Sequence, residues 1–414
     1  MGTGVKSYNL HFTPPKSAQW FAYGLIAVGL VSILAMFATD HGDGEHYHAG
    51  TRAWANIFAG SFFFMAVSLG AAFFLGLQYA AEAGWATTIK RVIESVALYL
   101  PWGLSFMLLL FILGQFHVHH IYPWMTPGIA ERGNPNYDEV IANKIGYFGV
   151  FWWIRTLLYI GLWLWFTLKL RQNSLEADKL EIDVNNSYHW KNVKLGAWFM
   201  VVFAVTSSTS AWDWVMSIDT HWFSTLFGWY IFSGMWISAV TMITMLIIWL
   251  KKLGYLEFVT ESTIHDMGKW MFAISFLWTY LYFSQFMLIW YSNIPEEVIY
   301  FQTRWESYKA LMWTVLLVNF AFPMIMLMSR DCKRNYFYLM FVGTIIFVFH
   351  YLDVIMIVMP GTVGHAWTGL SWREVGTFLF FLGIFLTVVF RALAQAPLLV
   401  KNHPFLQESL HHST

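Results

Sequence analysis

Charge and cysteine are both scarce in this chain. Asp, Glu, Lys and Arg make up 12% of 414 residues, about half the share of an average soluble domain. So few charges cannot clothe a globule of this size, so water is not the solvent for most of it. This excludes a soluble enzyme and a disordered tail protein, and the net charge of zero also excludes a nucleic-acid binder. The single cysteine, Cys332, allows neither an internal disulfide nor a cysteine-ligated iron–sulfur cluster. The sequence contains no CxxCH for covalent haem, no GxxxxGK[ST] for nucleotide and no GxGxxG after a strand. By itself the chain cannot hold most electron carriers.

What the sequence does have is apolar and aromatic side chains, 58% and 20% of the residues. Apolar runs of at least about 18 residues read as membrane-spanning helices. Ten are expected, over 19–39, 55–80, 95–116, 145–168, 195–214, 225–250, 269–291, 307–328, 336–358 and 375–397. The first is too long for the core of a cleaved signal. Of 24 Lys and Arg, about 17 fall at the termini or in loops after even-numbered spans and about 6 in the opposite loops. The positive-inside rule therefore puts both termini in the cytoplasm. The expected class is an all-α integral membrane protein.

Spans 2–5 and 6–9 read as two copies of one four-helix unit. Leu113-Gly-Gln115-Phe aligns with Phe283-Ser-Gln285-Phe, and Ser210 and Asp213 align with His350 and Asp353. Four spans per copy is an even number, so the copies share one orientation. Two side-by-side four-helix bundles are expected. The chain then divides into residues 1–54 with span 1, a first bundle over 55–224, a second over 225–374, and span 10 with the C-terminus over 375–414.

Ionisable groups inside spans are costly and are candidates for function. On span 5, Thr206, Ser210, Asp213 and Ser217 share a helix face. Asp213 lies about 18 residues, roughly 27 Å, from the cytoplasmic start. It reads as a proton relay or as an interfacial aspartate whose hydroxyl neighbours bond backbone carbonyls. On span 9, His350 and Asp353 stand three apart, either as a matched proton-accepting pair or as a structural ion pair. Arg155 falls about ten residues into span 4, near the midplane, and requires an acid partner such as Asp213 or Asp353, or a polar cavity.

Span 3 ends in Gln115-Phe-His117-Val-His119-His120. Gln115 and His117 could donate to a carbonyl oxygen arriving from lipid, and no carboxylate or cysteine is near enough in sequence to complete a metal site. His350 is the only histidine well inside a span, so no haem is expected. The His41–His48 stretch reads as a solvated turn. Glu82 and Glu94 read as hydrated span-end residues. Gln115, Asp213, Gln285, His350 and Asp353 all map to the outer half of the membrane. With aromatic walls such as Phe116, Trp212, Trp214, Tyr282 and Phe286, they suit a planar amphiphile such as a quinone. Gln115, His117, Gln285, Trp212 and Tyr282 are the candidate pocket residues, and Asp213, His350, Asp353 and Arg155 the candidate relay.

The stretch Trp212-Asp213-Trp214-Val-Met-Ser217-Ile-Asp219-Thr-His221-Trp222-Phe-Ser-Thr225-Leu-Phe-Gly228 resembles the signature of the NrfD/polysulfide-reductase membrane-subunit superfamily. Ten spans and paired bundles extend the likeness over nearly the whole chain. Its length and compact loops are most similar to the smaller (F) quinone-reductase-like membrane subunit of bacterial alternative complex III, a quinol:cytochrome c oxidoreductase. The resemblance implies a multi-pass subunit of the bacterial inner (cytoplasmic) membrane with no haem, iron–sulfur cluster or metal of its own. It also implies partners: an iron–sulfur protein, c-type cytochromes and a paralogous membrane subunit. Menaquinone or another quinone would bind near the periplasmic face, in this chain or its paralogue, and protons would pass outward. Asp213 and His117 are the positions that carry over. Asp219 and His221 belong to the motif and are expected at the periplasmic surface. The alternatives are a structural anchor of the same complex and a secondary transporter.

Overall fold

The computed structural model describes residues 8–42, 48–183 and 185–413, so residues 43–47 of the histidine-rich turn lie outside the described part. The α-helices in chain order are α1 (Lys16–Thr39), α2 (Thr51–Ala80), α3 (Lys90–Ala97), α4 (Leu100–Gln115), α5 (Glu139–Lys144), α6 (Val150–Lys179), α7 (Ser187–Trp214), α8 (Phe227–Lys252), α9 (Glu261–Ser292), α10 (Pro295–Ser307), α11 (Lys309–Met326), α12 (Tyr336–Thr362), α13 (Trp372–Ala394) and α14 (Leu406–Leu410). There is no strand among the described residues. Ten segments are long and apolar enough to cross a membrane, where a helix satisfies its own backbone polar groups. This is a multi-pass, all-α membrane protein.

Four spans close each ring of packing. In the first bundle α2 packs on α3 and α4, α4 on α6, α6 on α7, and α7 back on α2. In the second α8 packs on α9, α9 on α11, α11 on α12, and α12 back on α8. The rings meet through α2 against α8, flanked by α2 against α12 and α7 against α8. Exchanging span 2 with span 6 and span 5 with span 9 maps that interface onto itself. The helices at its centre are accordingly the most buried, and the core runs along α2 and α8. Helices α1 and α13 form a pair on the outside, leaning on α2 and α3 through α13. Glycine permits that close pairing: a Cβ at Gly29 would stand 2.5 Å from the Phe380 backbone nitrogen, and one at Gly383 2.7 Å from the Ala22 carbonyl oxygen.

Three sequence expectations change. The third span starts at Gly84, well before the expected residue 95, because its charged first turns are buried rather than hydrated. It is also broken: Pro101, in the first turn of α4, removes a backbone donor, and Ser68 Oγ lies 2.9 Å from both the Val96 and Ala97 carbonyls at the break. Arg155 lies five residues beyond Val150, the first residue of α6, which is roughly 8 Å along the helix. It therefore sits near the N-terminal end of the span and not at its middle. Between spans 7 and 8 the chain forms α10, an extra helix whose apolar side chains are too few for a span.

Candidate functional site

Asp213 occupies the last turn of α7 and is fully buried. Arg155 meets it with two parallel bonds, Nε to Oδ2 and Nη2 to Oδ1, both 2.7 Å, the fork-to-carboxylate geometry of a strong ion pair. Tyr159, one turn along α6 from Arg155, donates to Oδ2 at 2.8 Å. The Arg155 guanidinium also lies 3.9 Å above the Tyr147 ring and donates to the Tyr147 carbonyl at 3.0 Å. The tryptophans around Asp213 hold the turn. Trp152 Nε1 donates to the Asp213 carbonyl at 2.8 Å, Trp214 Nε1 to Thr156 Oγ1 at 3.0 Å, and Tyr122 to the Trp214 carbonyl at 2.6 Å. Thr206, Ser210 and Ser217 donate to carbonyls of their own segment, Val202, Ser207 and Asp213. Their hydroxyls thus stabilise backbone and form no string leading to the carboxylate.

Asp353, the residue aligned with Asp213, lies nine residues before the end of α12, and its partners come from different spans of its bundle. The Tyr230 hydroxyl of α8 donates to Oδ1, and Trp278 Nε1 of α9 donates to Oδ2 at 3.2 Å. No cation contacts it among the described residues. The expected His350–Asp353 pairing does not form, because Tyr230 and Trp278 take up the carboxylate. Neither ring nitrogen of His350 has a hydrogen-bond partner among the described residues, and the ring stands perpendicular to Trp278 at 5.3 Å. Both residues line a narrow cavity between α2, α8 and α12 with about 20 Å³ for the centre of a water molecule, room for about one water.

The five candidate pocket residues are spread over three places. Gln115 is exposed and accepts a bond from Trp153 Nε1 at 3.1 Å. His117 is exposed in the left-handed backbone region, at φ 58°. The neighbouring histidines diverge: His119 turns inward to the Leu110 carbonyl at 2.9 Å, and His120 faces the His48 ring. Gln285 is buried in the second bundle with its Oε1 unbonded, and Tyr282 stacks on Trp278 at 5.5 Å.

Trp212 alone of the five lines a pocket of about 210 Å³ beyond the C-terminal end of α7, with Tyr147, Phe148, Trp222 and Phe223. That is enough for a ring headgroup but below the ~300–1,000 Å³ of a drug-sized site. Lys144 and Asp219 supply its charge. Lys144 Nζ donates to the Thr220 carbonyl at 2.7 Å. Asp219, expected at the surface, is half-buried in the pocket wall, and its carboxylate bonds to no described residue. Burial raises its pKa, against the pull of Arg304, His221 and Lys144. His221 does lie at the surface, where Nε2 meets Asp138 at 2.8 Å and ties the loop before α5 to the motif.

A second polar cluster lies at the end of the first bundle remote from Asp213. Glu94, read as hydrated, is almost wholly buried and accepts from Arg91 at 2.7 Å and from Arg171. Arg91 in turn holds Asp178. Lys90 Nζ lies 4.1 Å above the Tyr79 ring, and Asn192 links Tyr79 to Asn173 through two 2.8 Å bonds. His189 and His403 border the cluster with ring centroids 4.9 Å apart. Between this cluster and Asp213, Trp163 donates to Thr206 Oγ1 at 2.9 Å. No local spacing announces the cluster, because α2, α3, α6, α7 and the C-terminal stretch each contribute members. By contrast, Tyr159 could have been found from its i+4 spacing to Arg155.

No protein-family model matches the chain, and no curated protein matches it either.

Proposed function

We propose that this chain is a membrane subunit of a quinol:cytochrome c oxidoreductase of the alternative complex III type. Quinol is oxidised near the outer face, two electrons go to metal centres in partner subunits, and the protons leave on the outer side. The observation that carries this reading is the pocket beyond α7: aromatic walls for a ring, an unbonded carboxylate at Asp219, and the Arg155–Asp213 pair reached through Tyr147. A quinol ring would stack on Trp212 or Trp222 and give a hydroxyl proton to Asp219, whose raised pKa suits a proton acceptor. The motif that resembles the family, residues 212–228, supplies most of the pocket wall.

The test is quinol oxidation by the purified complex carrying Asp219→Asn or Trp212→Ala. Asp219→Asn should lower kcat with little effect on KM, and Trp212→Ala should raise KM. The parental rate should fall on acidification as Asp219 is protonated, and Asp219→Asn should flatten that limb. Normal oxidation and proton release in both variants would overturn the assignment. The bidentate Arg155–Asp213 clamp favours a second reading for the first bundle, a structural anchor of the same complex, since a carboxylate held by three donors is well placed to fix α6 to α7.

A further inference from the structure

A cavity larger than the Trp212 pocket lies at the opposite end of the molecule. It is a cleft of about 650 Å³ between α1, α8, α12 and α13. It exists because α1 packs along α13 and touches α2 only briefly, leaving a wedge on its other side. Phe21, Met242, Met245, Phe347, Leu382 and Leu386 form its walls, so water is a poor occupant. A whole transmembrane helix does not fit inside it. At 1.5 Å rise and about 10 Å diameter, a helix takes about 120 Å³ per residue, and the cleft would accept only about five residues of the roughly twenty that a span needs.

Charge gathers at one end of this cleft. Pro15, Ser17, Leu253 and Phe390 line it, and each is a chain neighbour of an exposed cation: Lys16, Lys252 or Arg391. None of these three cations bonds to a described residue. All three sit at the face that the Lys and Arg distribution assigns to the cytoplasm, the leaflet rich in anionic lipid. We infer that the cleft is a binding site for an anionic phospholipid of the surrounding bilayer. Its acyl chains fill the wedge along α8 and α12, and its phosphate lies among Lys16, Lys252 and Arg391. The lipid completes the packing between the α1–α13 pair and the second bundle. This inference does not depend on the proposed redox role.

Photo-crosslinking tests it on the full chain in phosphatidylcholine nanodiscs. Each sample carries a trace of phosphatidylglycerol, or of phosphatidylcholine, with a diazirine in the acyl chain. Adducts should concentrate on Met242, Met245 and Phe347 rather than on Trp198 and Val205, which are open to lipid on α7. Phosphatidylglycerol should label several-fold more strongly, since each basic side chain near a membrane surface favours an anionic lipid by up to about fivefold. Lys16→Gln, Lys252→Gln and Arg391→Gln together should reduce that labelling to the phosphatidylcholine level. Leu386→Trp, which fills the cleft, should remove both. If Leu386→Trp does not fold, the surface triple variant still decides the matter. Even labelling of all lipid-facing residues, equal labelling by the two lipids in the parent, or a partner polypeptide cross-linked in the cleft would overturn it.

Discussion

Arg155→Met removes the only cation among the described residues that is bonded to Asp213, a fully buried carboxylate. Asp213 then keeps the Tyr159 hydroxyl as a donor, at 2.8 Å. Breaking a buried ion pair from one side costs about 3–5 kcal/mol, because the remaining charge is left without compensation. Arg155 retains 13% side-chain exposure, so the lower end of that range, about 3 kcal/mol, applies. Asp213→Asn should cost less: the long arginine side chain can reach the outer interface and keeps its positions over Tyr147 and Phe151. The double variant Arg155→Met/Asp213→Leu should recover most of the loss, since a pair replaced by apolar groups of similar volume is often neutral. Reversible unfolding in mixed micelles, read as a double-mutant cycle, measures all three. An Arg155→Met protein within about 0.5 kcal/mol of the parent, or a double variant less stable than Arg155→Met alone, would refute the reasoning.

Other perturbations test other parts of the molecule. Glu94→Gln should destabilise the first bundle by about 3 kcal/mol or more, since two arginines lose their shared carboxylate; thermal melting in detergent should show it. The C-terminal segment should loosen on acidification. Burial, with help from Lys90 and His189, lowers the His403 pKa to about 2, so the docked state holds it neutral while the released state takes up a proton. Stability is full above the ordinary histidine pKa, near 6.5, and is lost progressively as pH falls from there towards the folded value. A spin label at Gln407→Cys in a Cys332→Ser background should become mobile near pH 5, and His403→Phe should abolish the change. Asp353→Asn should leave assembly intact and slow proton release, whereas Tyr230→Phe should do so more weakly because Trp278 still holds the carboxylate. Normal release in Asp353→Asn would remove it from the relay.

Composition and hydrophobic run length made the ten spans legible, because lipid forces every spanning segment to be both apolar and helical. Asp213 and Asp353 align in sequence, but spans 6 and 7 hold Asp353 whereas span 4 holds Asp213. What stayed hidden was pairing across segments. The partner of Arg155 was narrowed to an acid on a neighbouring span, and the choice of Asp213 depends on α6 lying beside α7. His350 and Asp353 looked paired on one helix face, yet donors from α8 and α9 engage the aspartate. Lys90, Arg91 and Glu94 resemble an ordinary hydrated loop in sequence, and only Arg171 and Asp178 from α6 convert them into a buried network. Asp219 was expected in solvent because its motif runs past the end of the span. The chain instead folds back there and makes it part of a pocket wall.

The claim that matters most is membership in a quinol-oxidising assembly, and isolation of the native protein tests it directly. Extraction from its own membrane in mild detergent, through an affinity tag on this chain, should bring down c-type haem absorbance, iron–sulfur signals and a second, similar membrane subunit. The preparation should reduce cytochrome c with added quinol. A stable lone protein without redox centres, inactive toward quinol in every detergent that preserves its fold, would contradict the account.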